Sequence, residues 1–253
     1  MTKHWIYKYN LLMFDKVGST NEEALRLVYS GAKGDYAIFA KQQIARREGH
    51  YKQLYAPEGN FYLSLLLEPV FTVESGVEMY FVAVLAVKEA ITYTLGIDLN
   101  INFQWPNDVL LNGKKICEIT LEFSSASQKN IPDWFVISIE INVMHFPTEV
   151  EFNATSLKNE GCGEVPCDLL LNEFMKSFVS RYNVWRNRGF NTLKLEWMSS
   201  AFNLNKPITV IFRGEKISGV FKGIDKVGSL LLSLADGQLK TIIVSEVLFE
   251  QKF

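Results

Sequence analysis

The residues richest in chemistry gather around one tight turn. Asn112-Gly113 separates two β-prone runs, DVLL and KKICEITLEF, and Asn-Gly in that setting signals a two-residue hairpin. Such a hairpin sets Leu111 opposite Lys114, Leu110 opposite Lys115 and Asp108 opposite Cys117. Opposed residues share a face, and the face repeats every second residue. This parity gathers Asp108, Leu110, Lys115, Cys117, Ile119 and Leu121 on one side, with Glu118, Thr120 and Glu122 on the other. Lys115 then sits at the end of an apolar face, where an unpaired ammonium is costly. Asp108 is its candidate partner; the alternative is that Lys115 snorkels to water at the hairpin tip.

A second group lies in the polar stretch 41–60, which carries Lys41, Arg46, Arg47, His50 and Lys52. A basic loop of this length between strands can clamp phosphate oxygens, although its composition equally fits a solvated surface loop. Pro106-Asn107-Asp108 is turn chemistry as well as a possible site. Asn142 lies on the polar face of its strand and either lines a pocket or faces solvent. Cys162 and Cys167 are spaced C-x4-C, but the three histidines, His4, His50 and His145, are scattered, so no metal site is expected. No P-loop, G-x-G-x-x-G or H-E-x-x-H string occurs.

The elements that must position these residues follow from periodicity. Residues 6–14 read as one strand, and Ser19 or Thr20 before two acids marks a helix start with Gly31 as its stop. YAIFA (36–40) and FYLSLLL before Glu68-Pro69 read as strands. Residues 77–95 carry Met79, Val82, Leu85, Ala86 and Tyr93 at helical spacing. In 135–143, Phe135, Ile137, Ile139 and Ile141 alternate with Ser138, Glu140 and Asn142. Residues 166–188 and 190–201 read as helices. Beyond Asn203–Pro207 come only short strands and turns, the pattern of a small barrel. The expectation is a mixed α/β core with helices packed on one side of a sheet, residues 1–203, followed by a barrel, residues 204–253.

Composition bounds the function. Among 253 residues, 26 Lys and Arg against 28 Asp and Glu leave a net charge of −2, which disfavours sequence-independent nucleic-acid binding as the main task. Three cysteines cannot form a disulfide scaffold, and a reducing, cytoplasmic setting is expected. The most apolar stretch, MYFVAVLAVKEAITYTLG, is broken by Lys88 and Glu89 and is too short to span a bilayer. The N-terminus shows no signal peptide, so no membrane association is expected.

Taken in order, DKVGSTNEEA, Gln43, APEGNFYLSLLLEP, QWPNDVLLNGKKICEI, EINV and NATSL resemble the biotin protein ligases, and GIDKVGSLLLSLADG resembles their SH3-like barrel. The resemblance implies an α+β fold, with a class II synthetase-like core of mixed sheet and helices. It also implies a two-step reaction: biotin and ATP, with Mg²⁺, give biotinyl-5′-adenylate, and a lysine of a biotin carboxyl carrier domain of acetyl-CoA carboxylase then attacks it. By resemblance, Lys115 is the catalytic cation and Asp108 orients it or helps the incoming amine lose its proton. Ser19, Thr20, Asn21, Gln43 and Lys115 would bind biotin. Arg46, Arg47, Glu48, Gly49, Asn107 and Asn142 would contact ATP and the adenylate. Many such enzymes are dimers, so a homodimer is a possibility. The first family string begins at Asp15, so no DNA-binding domain and no repressor role are expected.

The chain departs from the family pattern in several places. The glycine–arginine loop reads Arg46-Arg47-Glu48-Gly49-His50-Tyr51-Lys52, with Leu54 where a Trp is usual. Gln104 replaces the lysine before Trp105, Glu118 replaces a glycine after Lys115, and Ser138-Ile139-Glu140 replaces glycine-x-glycine. Parity puts Glu118 away from Lys115, whereas Glu140 shares a face with Asn142. An anion there raises the cost of binding a carboxylate. Two further readings follow: a homologue that binds biotin or another partner without turnover, or a lipoyl/octanoyl-type acyltransferase using Cys117 as nucleophile.

Overall fold

A computed structural model of the chain describes residues 4–44, 56–124, 130–148, 152–212 and 214–244. The core is an eight-stranded mixed sheet. Its strands are β1 (His4–Ile6), β2 (Tyr9–Phe14), β3 (Tyr36–Ala40), β4 (Phe61–Leu67), β5 (Ile101–Gln104), β6 (Asp108–Leu111), β7 (Lys114–Phe123) and β8 (Phe135–Ile141), in the spatial order β1-β2-β3-β4-β8-β7-β6-β5. Among these strands of the described residues, only β2 and β3 pair parallel; the intervening helix α1 (Thr20–Tyr29) is their crossover. The stretch 6–14 is not one strand. Tyr7 and Lys8, both at positive φ, turn the chain so that Ile6 pairs with Tyr9. No Asn or Gly announces that turn.

One face of the sheet carries the main core. Helix α2 (Val73–Gly76) leads into α3 (Met79–Leu95), whose residues from Met79 to Val87 are all buried. It is apolar all round because it is wedged between the sheet and α4 (Cys167–Arg188). Arg181 of α4 ion-pairs with Glu89 of α3 and with Glu196 of α5 (Phe190–Ser199). Helices are not confined to that side, as the sequence suggested. Helix α1 packs on the opposite face, where Ala24 meets Leu12, Ile38, Leu66 and Val136. Its apolar stripe is short, so it covers one end of that face and leaves the rest for polar side chains. Strand β4 packs against α1 on one face, sends Phe61, Leu63 and Leu65 into the main core on the other, and is buried along its whole length.

The C-terminal strands β9 (Pro207–Phe212), β10 (Glu215–Ile224), β11 (Leu230–Ser233) and β12 (Leu239–Ile242) form an SH3-like antiparallel sheet in the order β12-β11-β10-β9. Trp105 donates its indole N–H to the Gly228 carbonyl at 2.8 Å, tying this sheet to the turn before β6. Gly228, at φ +87°, is needed there: a Cβ would come within 2.7 Å of the Phe81 ring. Among the described residues no helix is long and apolar enough to cross a membrane.

Candidate active site

A strip of buried polar side chains crosses the face of the sheet on which α1 packs. It starts where Ser19 caps α1 by accepting the Asn21 backbone N–H. The cap aims Thr20 and Asn21, both buried, into the sheet. The Thr20 backbone N–H and hydroxyl donate to Gln43 Oε1 at 2.8 and 3.1 Å, and the hydroxyl also meets Ser64 Oγ at 2.8 Å. Ser64 Oγ lies 2.9 Å from Ser138 Oγ, which accepts the Asn21 amide at 3.0 Å. Gln43 Nε2 in turn donates to Glu140 Oε1 at 3.0 Å. Each buried polar atom named here has a partner, so the strip is rigid rather than merely hydrophilic.

The other end of the strip is Lys115. A bulge at Ile116 breaks the hairpin register: Leu110 still faces Lys115, but Val109 faces Cys117 and Asp108 faces Glu118. The Asp108–Cys117 pairing expected from parity is therefore wrong, and so is the placing of Glu118 away from Lys115. Local hydrogen bonds explain the bulge. Ile116 O accepts the Asn142 N–H at 2.7 Å, while Lys115 N and O pair with Asn153 O and Thr155 N. The extra residue turns Cys117, Ile119 and Leu121 into the core and brings Asp108, Lys115 and Glu118 together on the other face.

Lys115 Nζ lies 2.8 Å from Asp108 Oδ1, 3.0 Å from Glu118 Oε2 and 4.9 Å from the centre of the Phe152 ring. Lys115 and Asp108 are only 15% and 14% exposed, whereas Glu118 is 46% exposed. Burial acts to lower the Lys115 amine, but the Asp108 and Glu118 charges outweigh it and hold it above its ordinary value. Burial, aided by the Glu118 charge, pushes the Asp108 carboxyl up to about 6 against the pull of Lys115. Glu118 and Glu140 are paired across β7 and β8, joining the Lys115 cluster to the Gln43 network.

Two family models match the chain. Residues 47–199 match the biotin/lipoate A/B protein ligase family, and residues 204–249 match the biotin protein ligase C-terminal domain. The chain is 31% identical to a biotin–[acetyl-CoA-carboxylase] ligase of Paracoccus denitrificans, over 94% of this chain and 99% of that protein. The chain belongs to the biotin/lipoate A/B protein ligase family. It is also 28% identical to a bifunctional ligase/repressor of Bacillus spizizenii, over 98% of this chain and 74% of that protein. Among solved structures, the biotin protein ligase of Aquifex aeolicus in complex with biotin and ATP superposes with a TM-score of 0.79. It is 25% identical and covers 94% of this chain and 97% of its own. A biotin protein ligase-like protein of unknown function from a Silicibacter species shares the fold, with a TM-score of 0.78 and 17% identity over 97% of this chain and 99% of its own.

Within this ligase fold, Ser19, Thr20, Asn21, Gln43, Asp108 and Lys115 all border the strip. Asn107 instead donates its amide to Ile119 O at 2.8 Å, and Asn142 donates to Thr155 O at 3.1 Å, so both brace the hairpin end. Arg46, Arg47, Glu48 and Gly49 lie outside the described residues. Cys117 is buried on the core face, and burial drives its thiol well above the ordinary range, which removes the nucleophile of the acyltransferase alternative. Among the described residues no group of three His, Cys, Asp or Glu could hold a metal ion. Ser64 and Phe152 were not among the site residues expected from the sequence, and Ser138 was placed on the polar face of its strand without a site role. Ser64 was visible as the one polar residue in FYLSLLL; Phe152 carries no local signal.

Proposed function

We infer that this ligase-family chain is a biotin protein ligase that adenylates biotin with ATP and transfers it to a lysine of a carboxyl carrier domain. The observation that carries this is a buried ammonium, Lys115, at one end of a polar strip whose other end is the Thr20–Gln43 network. In the first step a carboxylate oxygen of biotin attacks the α-phosphorus of ATP, the bond to the bridging oxygen breaks and pyrophosphate leaves. Lys115 offsets the charge of the two approaching anions. In the second step the carrier amine attacks the acyl carbon, an amide forms and AMP departs. Asp108, beside Lys115, receives or orients the amine proton. Ser19, Thr20, Asn21 and Gln43 hold the ligand head.

Mg²⁺ would arrive on the nucleotide phosphates, and no protein ligand is assigned to it. The residue division 1–203 and 204–253, a cytoplasmic location and a homodimer are part of the same proposal. So are nucleotide contacts from Arg46, Arg47, Glu48 and Gly49, with Asn107 and Asn142 supporting the site from behind. Incubation with biotin, ATP, Mg²⁺ and a carrier domain tests the reading: mass spectrometry should find biotinyl-5′-adenylate and then a biotinylated lysine. No adenylate at saturating substrate refutes it. One observation favours a second reading, a homologue that binds without turnover: Glu118 already occupies Lys115.

A further inference from the structure

Two lysines follow the hairpin turn, and charge alone does not decide which of them enters the polar strip. Lys114 and Lys115 are adjacent in β7, so their side chains leave the strand on opposite sides. The Lys115 ammonium meets Asp108 at 2.8 Å, and the Lys114 ammonium meets Glu160 at 3.0 Å. A slip of one residue in the hairpin would exchange the two lysines. The Asn112-Gly113 turn favours the observed register, but the ladder shifts between Leu110 and Val109, so the strand needs a further hold on the turn side of that shift.

Glu160 supplies that hold. Its carboxylate accepts from Asn112 Nδ2 at 2.8 Å, from Lys114 Nζ at 3.0 Å and from Thr155 Oγ1 at 2.7 Å. The Thr155 side chain is buried, and its hydroxyl in turn accepts from Asn159 Nδ2 at 3.0 Å. One anion thus ties together the turn, the first residue of β7 and the segment 153–160 that runs beside the hairpin. That segment grips Lys115 by its backbone: the Lys115 N–H donates to Asn153 O at 2.8 Å, and the Thr155 N–H donates to Lys115 O at 3.0 Å.

Hydrogen bonds from Asn112, Thr155 and Lys114 hold the Glu160 carboxyl down at about 2, so the anion persists at neutral pH. An ionised carboxylate is an acceptor on every side, which suits a group that must bind three donors at once. We propose that Glu160 is a positioning residue for the ligase reaction: by binding Asn112, Lys114 and Thr155 together it fixes the register and the backbone that aim the Lys115 ammonium into the strip. This rests on reading Lys115 as the ammonium beside the reacting acid.

The test is single-turnover adenylate formation from biotin and ATP by wild type, Glu160→Gln and Glu160→Ala, each also in a Lys115→Ala background. Glu160→Gln keeps the shape but sets an amide N–H₂ against donors. It should slow the step roughly tenfold, and Glu160→Ala on the order of a hundredfold, the scale of a small misplacement at a reacting centre. In the Lys115→Ala background the same substitutions should change the residual rate by less than about threefold, because the group they position is gone. A merely structural residue slows both backgrounds alike; that result, or rates within about threefold of wild type for both variants, overturns the inference. Amide hydrogen exchange is a second readout that needs no turnover: protection of the Lys115 and Thr155 N–H groups should fall at least about tenfold in Glu160→Gln, while β4 keeps its own. If wild type forms no adenylate, the ligase reading fails and exchange decides alone: lost protection upholds the grip of Glu160 on Lys115, and unchanged protection overturns it. Should Glu160→Ala fail to fold, Glu160→Gln carries every arm of the test.

Discussion

Replacing Lys115 by alanine separates its chemical role from its structural one. The ammonium sits 2.8 Å from Asp108 and 3.0 Å from Glu118. Removing one member of a buried ion pair ordinarily costs ~3–5 kcal/mol, because the other charge is stranded. Here the loss is capped. Asp108 is already pushed up to about 6, so it can take a proton once Lys115 is gone. Protonating such a group near pH 7.5 costs at most ~2 kcal/mol at 1.36 kcal/mol per pH unit. Glu118 is 46% exposed and can turn to water. Lys115→Ala should therefore lose roughly 2 kcal/mol near pH 7.5 and little near pH 5.5, where Asp108 is already neutral. Adenylation should fall much further, by about 10²–10³-fold, the usual effect of deleting a group aimed at developing charge. Urea unfolding at the two pH values and pyrophosphate release with biotin and ATP measure both effects. An adenylation rate within about threefold of wild type would refute the catalytic role. A large stability loss, the same at both pH values, would refute the cap.

Two other predictions follow from the geometry. Because the folded Asp108 carboxyl is raised from 3.8 to about 6, the native state holds its proton more tightly than the unfolded chain. Its contribution to stability is present below pH ~4 and is lost as pH rises through about 6, while activity that needs the ionised form rises over the same range; the stability change is on the order of 2–3 kcal/mol. Asp108→Asn should remove both slopes, and a pH profile of transfer to the carrier amine or of urea midpoints that keeps them would assign the titration to another group. Asn60, buried before β4, accepts the backbone N–H groups of Val143, Met144 and His145 at 2.9–3.1 Å. Asn60→Ala strands three donors beside Asn142 and should cost at least ~3 kcal/mol in urea unfolding; a loss below about 1 kcal/mol would show that water replaces the amide.

Much of this protein was legible in the chain because the signals are local. Ser19 ahead of two acids specifies the start of α1, Asn112-Gly113 specifies the hairpin, and the alternation in 135–141 places Ser138 and Glu140 together on the polar face of β8. The order of the family strings points to the ligase fold without any contact being known. What the chain did not disclose depends on hydrogen bonds between distant segments. The bulge at Ile116 exists because Asn142, Asn153 and Thr155 claim the backbone of Lys115 and Ile116. A single extra residue inverts the parity of everything after it, so a two-residue period carried past that point misplaces Glu118 and Cys117. Ser64 becomes part of the strip only when β3 and β8 flank β4 and α1 lowers Thr20 onto it. Helix α1 lies on the far face because its crossover joins two parallel strands, β2 and β3, a pairing that no local pattern encodes.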